Sequence, residues 1–173
     1  MDPVEINAGG YYLRQLRADD RMDDRPALVA AFADPEMRRF VTVSLGTLAD
    51  AGDYVALRAA EWARGRRCSW AVAEPTTGDL LGEVGLKDLD PGAGTAEASV
   101  WVAPPARGRG VAVAAVEAAL RFGFGGLGLR EVRYRHHRDN RASATVAARC
   151  GFRHAGSADP ADEVWLRTAD QVP

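Results

Sequence analysis

The segment that most restricts the fold is 110–122, GVAVAAVEAALRF, a helix-forming run that is apolar nearly all the way round. Alanine and leucine favour a helix there, and the only charges, Glu117 and Arg121, stand at i, i+4 where they can pair. A helix without a polar face cannot rest on a surface, so it must sink against a broad apolar layer. It is also too short, and too interrupted by Glu117, to cross a membrane. The layer has to come from a sheet within this chain. Just upstream, Pro104 and Pro105 stop a strand expected over 95–102, and Arg107-Gly108-Arg109-Gly110 makes a tight loop into the helix.

Hydrophobic period and turn residues divide the rest of the chain into an alternating α/β series. A first strand is expected over 11–16 and helices over 21–33 and 48–64, the second with Asp50 near its start as a cap or favourable anion. Strands over 69–73 and 80–86 flank the turn 74–79, and a second turn, 90–94, leads to the strand over 95–102. Together these three strands make an antiparallel meander. After the buried helix, alternation over 130–136 sets Val132 and Tyr134 on one face and Arg133 and Arg135 on the other. A short helix over 141–149 follows, capped by Asn140 or Asp139 and stopped at Gly151, then strands over 152–155 and 163–167. A chain of 173 residues, 47% hydrophobic and 27% charged, suits one domain over 1–173.

A formal net charge of −2 gives no general field for polyanions, so any anion site must be local. Within the 22 basic residues, 21 are arginine and one, Lys87, is lysine. GC-rich codon usage explains that bias for most of them; the alternative is that arginine forks bind phosphate or carboxylate. The stripe Arg130, Arg133, Arg135, Arg138 and Arg141 reads as a solvated strand edge rather than a nucleic-acid surface. Cys68 and Cys150 form neither a disulfide framework nor a CxxC site, and His136-His137-Arg138-Asp139 lacks a spaced third ligand, so no metal is expected. The N-terminus has no apolar core resembling a signal peptide, and a cytoplasmic protein without membrane contact is expected. Gly123-Phe124-Gly125-Gly126-Leu127-Gly128 matches a dinucleotide fingerprint, but it ends a helix and leads into a strand, the reverse of the context that motif needs. Trp62, Trp70, Trp101 and Trp165 read as core or contact residues.

The loop 107–112 is the segment with chemical meaning. Two glycines remove side chains, leaving consecutive N–H groups to point at whatever sits before the helix N-terminus, where the macrodipole is positive. That arrangement is a diphosphate cradle, although an exposed Arg/Gly turn that only starts a helix would look the same over six residues. A second constellation, Asn140-Arg141-Ala142-Ser143 and then Arg149-Cys150-Gly151-Phe152, stands at the two ends of the next short helix.

Together, Arg-x-x-Gly-x-Ala after a Val-rich strand and Asn-x-x-Ser-x(7)-Gly-Phe about thirty residues later resemble the Gcn5-related N-acetyltransferase (GNAT) superfamily, most closely its ribosomal-protein alanine N-acetyltransferase branch. The strands Glu97-Ala98-Ser99-Val100-Trp101-Val102-Ala103-Pro104 and Leu81-Gly82-Glu83-Val84-Gly85-Leu86 share that likeness. The resemblance implies an α/β (α+β mixed) fold: a central mixed, mostly antiparallel sheet of about seven strands, splayed in the middle and flanked by about four helices. It implies acetyl-CoA as co-substrate and an amine acceptor, a small molecule or a protein N-terminus, with residues 11–94 forming the acceptor side and 95–167 the acyl-CoA side. Homodimers are common among such relatives. Cofactor contacts would come from Val102, Ala103, Arg107, Gly108, Arg109, Gly110, Val111, Ala112 and Asn140, and Ser143 would stand near the thioester sulfur.

The chemistry implied is attack of a neutral amine on a thioester. Many members of the superfamily carry a tyrosine seven residues after the Asn as general acid; here Ala147 stands there, which shifts the burden to Ser143 or water. Where members of the closer branch often have Glu, this chain has Ala114. The base is left between Glu97 and Glu83, either of which also reads as an ordinary carboxylate. An α-amine of pKa about 8 is easier to present neutral than a lysine amine near 10.4, by about 3 kcal/mol, so a site without an assured base suits an α-amine better. Arg38, Arg39 and Phe40, in the loop between the first two helices, are candidates for the acceptor wall. An acyl-CoA-binding module without turnover is the alternative reading.

Overall fold

The computed structural model describes residues 1–171; the last two positions of the domain assigned to 1–173 lie outside the described residues. The N-terminal half runs β1 (Ile6–Asn7), β2 (Tyr12–Arg14), β3 (Ala18–Asp19), β4 (Met22–Asp23), α1 (Arg25–Phe32), α2 (Pro35–Phe40), α3 (Leu48–Ala63), β5 (Cys68–Ala73) and β6 (Leu80–Asp90). The second half runs β7 (Thr95–Val102), α4 (Val111–Arg121), β8 (Glu131–His137), α5 (Arg141–Arg149), β9 (Arg153–Asp159) and β10 (Asp162–Thr168). Eight strands join one sheet in the order β1-β2-β5-β6-β7-β8-β10-β9, and β3 and β4 form a separate two-stranded ribbon.

All neighbouring strands of the large sheet pair antiparallel except β7 and β8, which are parallel and joined through α4. That one parallel ladder is short: it runs from Thr95↔Glu131 to Ala98↔Tyr134 and stops, while β7 stays paired to β6 as far as Gly82↔Val102. Beyond Ala98 the sheet is therefore open on the β8 side of β7. A Cβ at Gly82 would run into the Trp101 carbonyl, so only glycine lets β6 follow β7 to this point.

Two apolar clusters contain the core. The larger gathers α4 (Val111, Ala115, Val116, Ala119, Leu120) over Val84, Leu86 and Val132, with Trp62 and Trp70 packed edge to face at 4.8 Å. The all-round apolar helix is thus buried on the sheet, as its composition demands, but Glu117 pairs with Arg167 of β10 at 2.9 Å instead of with Arg121. The smaller cluster holds Leu28, Phe32, Met37, Leu45, Ala51 and Tyr54 against Ala71, joining α1, α2 and α3. In α3, Thr47 and Asp50 make a reciprocal capping box.

The fold class is the expected one, with eight strands in the large sheet and five α-helices among the described residues against about seven and four. The additions are short elements that periodicity does not detect. β1 is two residues long, and α2 is a six-residue helix in what reads as a loop, started by Asp34, whose carboxylate accepts from Met37 N–H at 3.0 Å. The expected helix over 21–33 begins later, at Arg25, because Met22–Asp23 pairs back on Ala18–Asp19.

Candidate active site

The opening between β7 and β8 continues into a cleft of two connected parts, about 390 Å³ on the side of α4 and α5 and about 280 Å³ on the side of α2 and α3. Phe40, Val41, Val100, Trp101, Tyr134, Asn140 and Ser143 line both and form the throat between them. Both parts therefore meet where β7 leaves β8.

The larger part has the loop before α4 as one wall. Gly108 and Gly110 lie at φ +75° and +78°, a conformation that side chains resist, and among the described residues nothing stands within 4 Å of where a Cβ would be. Gly110 is the N-cap of α4 and no side chain among the described residues caps the helix, so its first-turn N–H groups face the cleft where the helix dipole is positive. Gly108, Gly110, Val111 and Ala112 all line this part, as do Val102 and Arg107. Ala103 and Arg109 are not among the lining residues: Ala103 N–H donates to the Leu81 carbonyl, and the Arg109 carbonyl accepts from Tyr11 Oη at 2.7 Å. The Arg107 guanidinium is engaged: it donates to Asp34 Oδ2 at 2.7 Å, Glu36 Oε2 at 2.8 Å and the Val102 carbonyl at 3.3 Å. It ties the loop to the start of α2 and holds the Asp34 carboxyl below the usual carboxylate range.

Asn140 caps α5 by accepting from Ser143 N–H at 3.0 Å, and so carries Ser143 to the throat. Tyr134 of β8 donates from its hydroxyl to Ser143 Oγ at 3.4 Å. Burial pushes that phenol up to about 12. Ala147, by contrast, is fully buried in the core side of α5.

On the smaller part's wall Glu83 is 2% exposed and held on all sides. Its Oε2 accepts from Tyr54 Oη at 2.5 Å and Trp101 Nε1 at 3.2 Å, while its Oε1 faces Arg58 Nε at 3.2 Å and Arg67 at 3.6 Å. Burial, and then the adjacent Glu83 charge, raise the Tyr54 phenol far above its ordinary value. Glu97 is not a lining residue of either part; it pairs with Lys87 at 2.7 Å, beside Arg135 at 3.9 Å. The two candidate carboxylates thus differ: Glu83 reaches the cleft wall as an anchored anion, and Glu97 stands behind Lys87 at its rim.

His136 is also engaged, since Trp165 Nε1 donates to its Nε2 at 3.0 Å, which leaves Nδ1–H to donate to the His137 carbonyl. The outer arginines of β8, and Arg138 just after it, face acids: Arg133 stands 3.5 Å from Glu131, Arg135 3.9 Å from Asp162, and Arg138 3.7 Å from Glu163. Phe40 of the expected acceptor wall does line the throat, whereas Arg39 reaches across to Asp139 at 3.4 Å. Sequence reasoning missed Tyr134, Tyr54, Arg58 and Arg67 at this site. Tyr134 reads as a core residue from alternation alone, and the other three are brought in by contacts too distant in sequence to leave a pattern.

The arrangement can hold an anion on backbone N–H groups, run an extended chain along an unpaired strand edge, and offer hydroxyls at a narrow throat. The model of the acetyltransferase (GNAT) domain matches residues 12–153, from β2 to the first residue of β9. Among solved structures, RimJ of Mycobacterium smegmatis in complex with CoA-disulfide is 21% identical, with a TM-score of 0.83 over 99% of this chain and 90% of that one. The microcin C7 self-immunity acetyltransferase MccE, in complex with acetyl-CoA and AMP, is 15% identical with a TM-score of 0.79, covering 92% of this chain and 93% of its own. RimL, a ribosomal L7/L12 alpha-N-protein acetyltransferase in complex with CoA, is 17% identical with a TM-score of 0.78, covering 92% and 94%. No curated protein matches the chain. Identities this low carry likeness of fold, but the family model spans most of the sequence: the chain belongs to the acetyltransferase (GNAT) family.

Proposed function

We propose that the protein transfers an acetyl group from acetyl-CoA to a primary amine by direct attack in a ternary complex. The observation that carries this reading is the coincidence, in one cleft, of the unpaired β7 edge beyond Ala98 with the uncapped α4 N-terminus behind Gly108 and Gly110. The donors fit a pyrophosphate: the loop is positive by dipole, and at Gly108 and Gly110 it carries no Cβ, so the backbone can be approached closely. Acetyl-CoA supplies the acyl group as a thioester.

In this reading the N–H groups over 108–112 bind the pyrophosphate, and Arg109, which lies outside the cleft lining, adds its charge to the local field rather than a wall contact. The unpaired backbone edge of β7 as far as Val102 and the side chain of Asn140 orient the pantetheine arm; Ala103, whose N–H and carbonyl are both bonded within the protein, only holds that edge in place. Ser143 Oγ donates a hydrogen bond to the sulfur as its bond to carbon breaks. The base is assigned to neither carboxylate alone. Glu83 has four cationic or hydroxyl and indole neighbours and reaches an amine only through a water, and Glu97 must first leave Lys87. An acceptor that arrives largely neutral, such as an α-amine of a peptide or small molecule, suits such a site.

The same occupied carboxylates, with Ala147 in place of a tyrosine, favour the second reading, an acyl-CoA-binding module without turnover. Thiol release from acetyl-CoA, measured with peptides, polyamines and amino sugars as acceptors, separates the two. Acceptor-dependent CoA release is the expected result. Micromolar CoA binding with no acceptor-dependent release supports the module, and preference for lysine side chains over α-amines overturns the acceptor class.

A further inference from the structure

Tyr134 is 2% exposed, yet it is one of the residues that line both parts of the cleft. Its ring is fixed by Phe152, 5.5 Å away between centroids, and by His136 at 6.2 Å, so the hydroxyl is aimed by a rigid strand. That hydroxyl donates to Ser143 Oγ at 3.4 Å, and Ser143 stands on the first turn of α5, placed by the Asn140 cap. A bond of this length is loose.

A serine hydroxyl has one proton and a freely turning rotor. When Oγ accepts from Tyr134, its own proton cannot point back at the phenol and is left for the cleft. Donation into Oγ also polarises the serine O–H, making it a better donor to a developing anion. Tyr134 comes from the strand next to the cleft and not from α5, where the helical position Ala147 is turned into the core.

We infer that Tyr134 is a positioning residue for acyl transfer: by donating to Ser143 Oγ it holds the Ser143 proton toward the departing thiolate sulfur. This rests on the acetyl-transfer reading above. As the amine N–C bond forms and the C–S bond breaks, the electron pair of the broken bond stays on sulfur. The proton lost by the amine neutralises that sulfur through water, giving amide and free thiol, and the hydroxyl pair ends as it began. Burial keeps the Tyr134 phenol protonated at neutral pH, so it stays a donor throughout. Nearby, the buried Cys150 thiol is likewise pushed up to about 12 and adds no charge at neutral pH.

Tyr134→Phe keeps the ring and removes only the hydroxyl. Steady-state kinetics of Tyr134→Phe, Ser143→Ala and the double variant form the test. Tyr134→Phe should lower kcat about tenfold with KM for acetyl-CoA changed less than about twofold, and should cause no further loss in the Ser143→Ala background. A merely structural tyrosine would give equal losses in both backgrounds, and that result overturns the inference, as does kcat within about twofold of wild type. A second readout needs no turnover: the thiolate absorbance of CoA bound to each variant, followed against pH. Its thiol pKa should rise by about one unit in Tyr134→Phe and in Ser143→Ala alike. If the native protein releases no CoA with any amine, the acetyl-transfer reading fails by itself, and the thiol titration still decides the pairing: a rise upholds it and no change overturns it.

Discussion

The two parts of the cleft are built from opposite materials. The α4 side is made of backbone: N–H groups, glycines at positive φ, an unpaired strand edge and small residues. The α3 side is made of side chains, with Glu83 locked among Tyr54, Trp101, Arg58 and Arg67 and with Lys87 closed on Glu97. A backbone site is made by local conformation and binds without needing a hydrophobic core of its own. A side-chain network is part of the core and binds only what its fixed charges allow. Substitutions on the first side should therefore act on affinity and on the second side on stability.

The largest effect is expected at Glu83. Glu83→Ala leaves two guanidinium groups, 11% and 15% exposed, facing a cavity where a carboxylate stood, and removes the acceptor for Tyr54 and Trp101. Removing one partner of a buried ion pair costs about 3 kcal/mol or more, here moderated because Arg58 keeps Glu61 at 2.6 Å. The denaturant midpoint should fall accordingly, Glu83→Gln should recover part of the loss by still accepting from Tyr54, and acetyl-CoA affinity should change less than about threefold. If Glu83→Ala keeps its midpoint and loses only turnover, the α3 side is catalytic machinery and not a structural network, and the contrast between the two sides breaks.

Gly110→Asp should show the reverse pattern. No atom blocks a side chain there, but φ +78° is strained for any residue with a Cβ, by about 1 kcal/mol, and the new carboxylate faces the donors proposed for pyrophosphate. Acetyl-CoA affinity should fall more than about a hundredfold by calorimetry, about 2.7 kcal/mol, while stability changes by about 1 kcal/mol. Gly110→Ala, which adds the strain without the charge, should lose less than about tenfold in affinity. Unchanged affinity in Gly110→Asp would remove the cradle.

The same contrast explains what the sequence could tell. The strand Thr95–Val102 and the helix Arg141–Arg149 appear within the limits that alternation and capping indicate, and the loop between β7 and α4 stands in the cleft, because prolines, glycines and Asn140 act on their own neighbours. α2 escapes notice although Asp34-Pro35-Glu36 is a helix start, since six residues span too few turns to show a period. The partners of Glu83 escape for a different reason. Tyr54 lies 29 residues away and Arg58 25, and only the closing of α3 over β6 brings them together. Tyr134 is read correctly as buried, but alternation assigns a face and not the end of the ladder, so its place at the throat depends on where β7 and β8 part.

Arg107 joins the two sides and gives the finest test. From sequence it belongs to the cradle, and it does line the cleft, but its guanidinium spans Asp34 and Glu36 at the start of α2, the helix that ends at Phe40 in the throat. If that guanidinium serves the clamp, Arg107→Ala should change acetyl-CoA affinity less than about threefold, whereas Arg109→Ala, which removes a charge not used in the clamp, should lower it about tenfold. The pH dependence adds a sign. The Asp34 carboxyl is held below its ordinary value by Arg107, so the clamp contributes fully above the unfolded carboxylate pKa of about 3.9 and is lost as pH falls through the lower native value. Wild type and Arg107→Ala should then differ in thermal stability at neutral pH and converge in acid. A difference that persists below that range would mean that Arg107 acts through Val102 and packing, and that the two sides of the cleft are joined by the strand and not by the clamp.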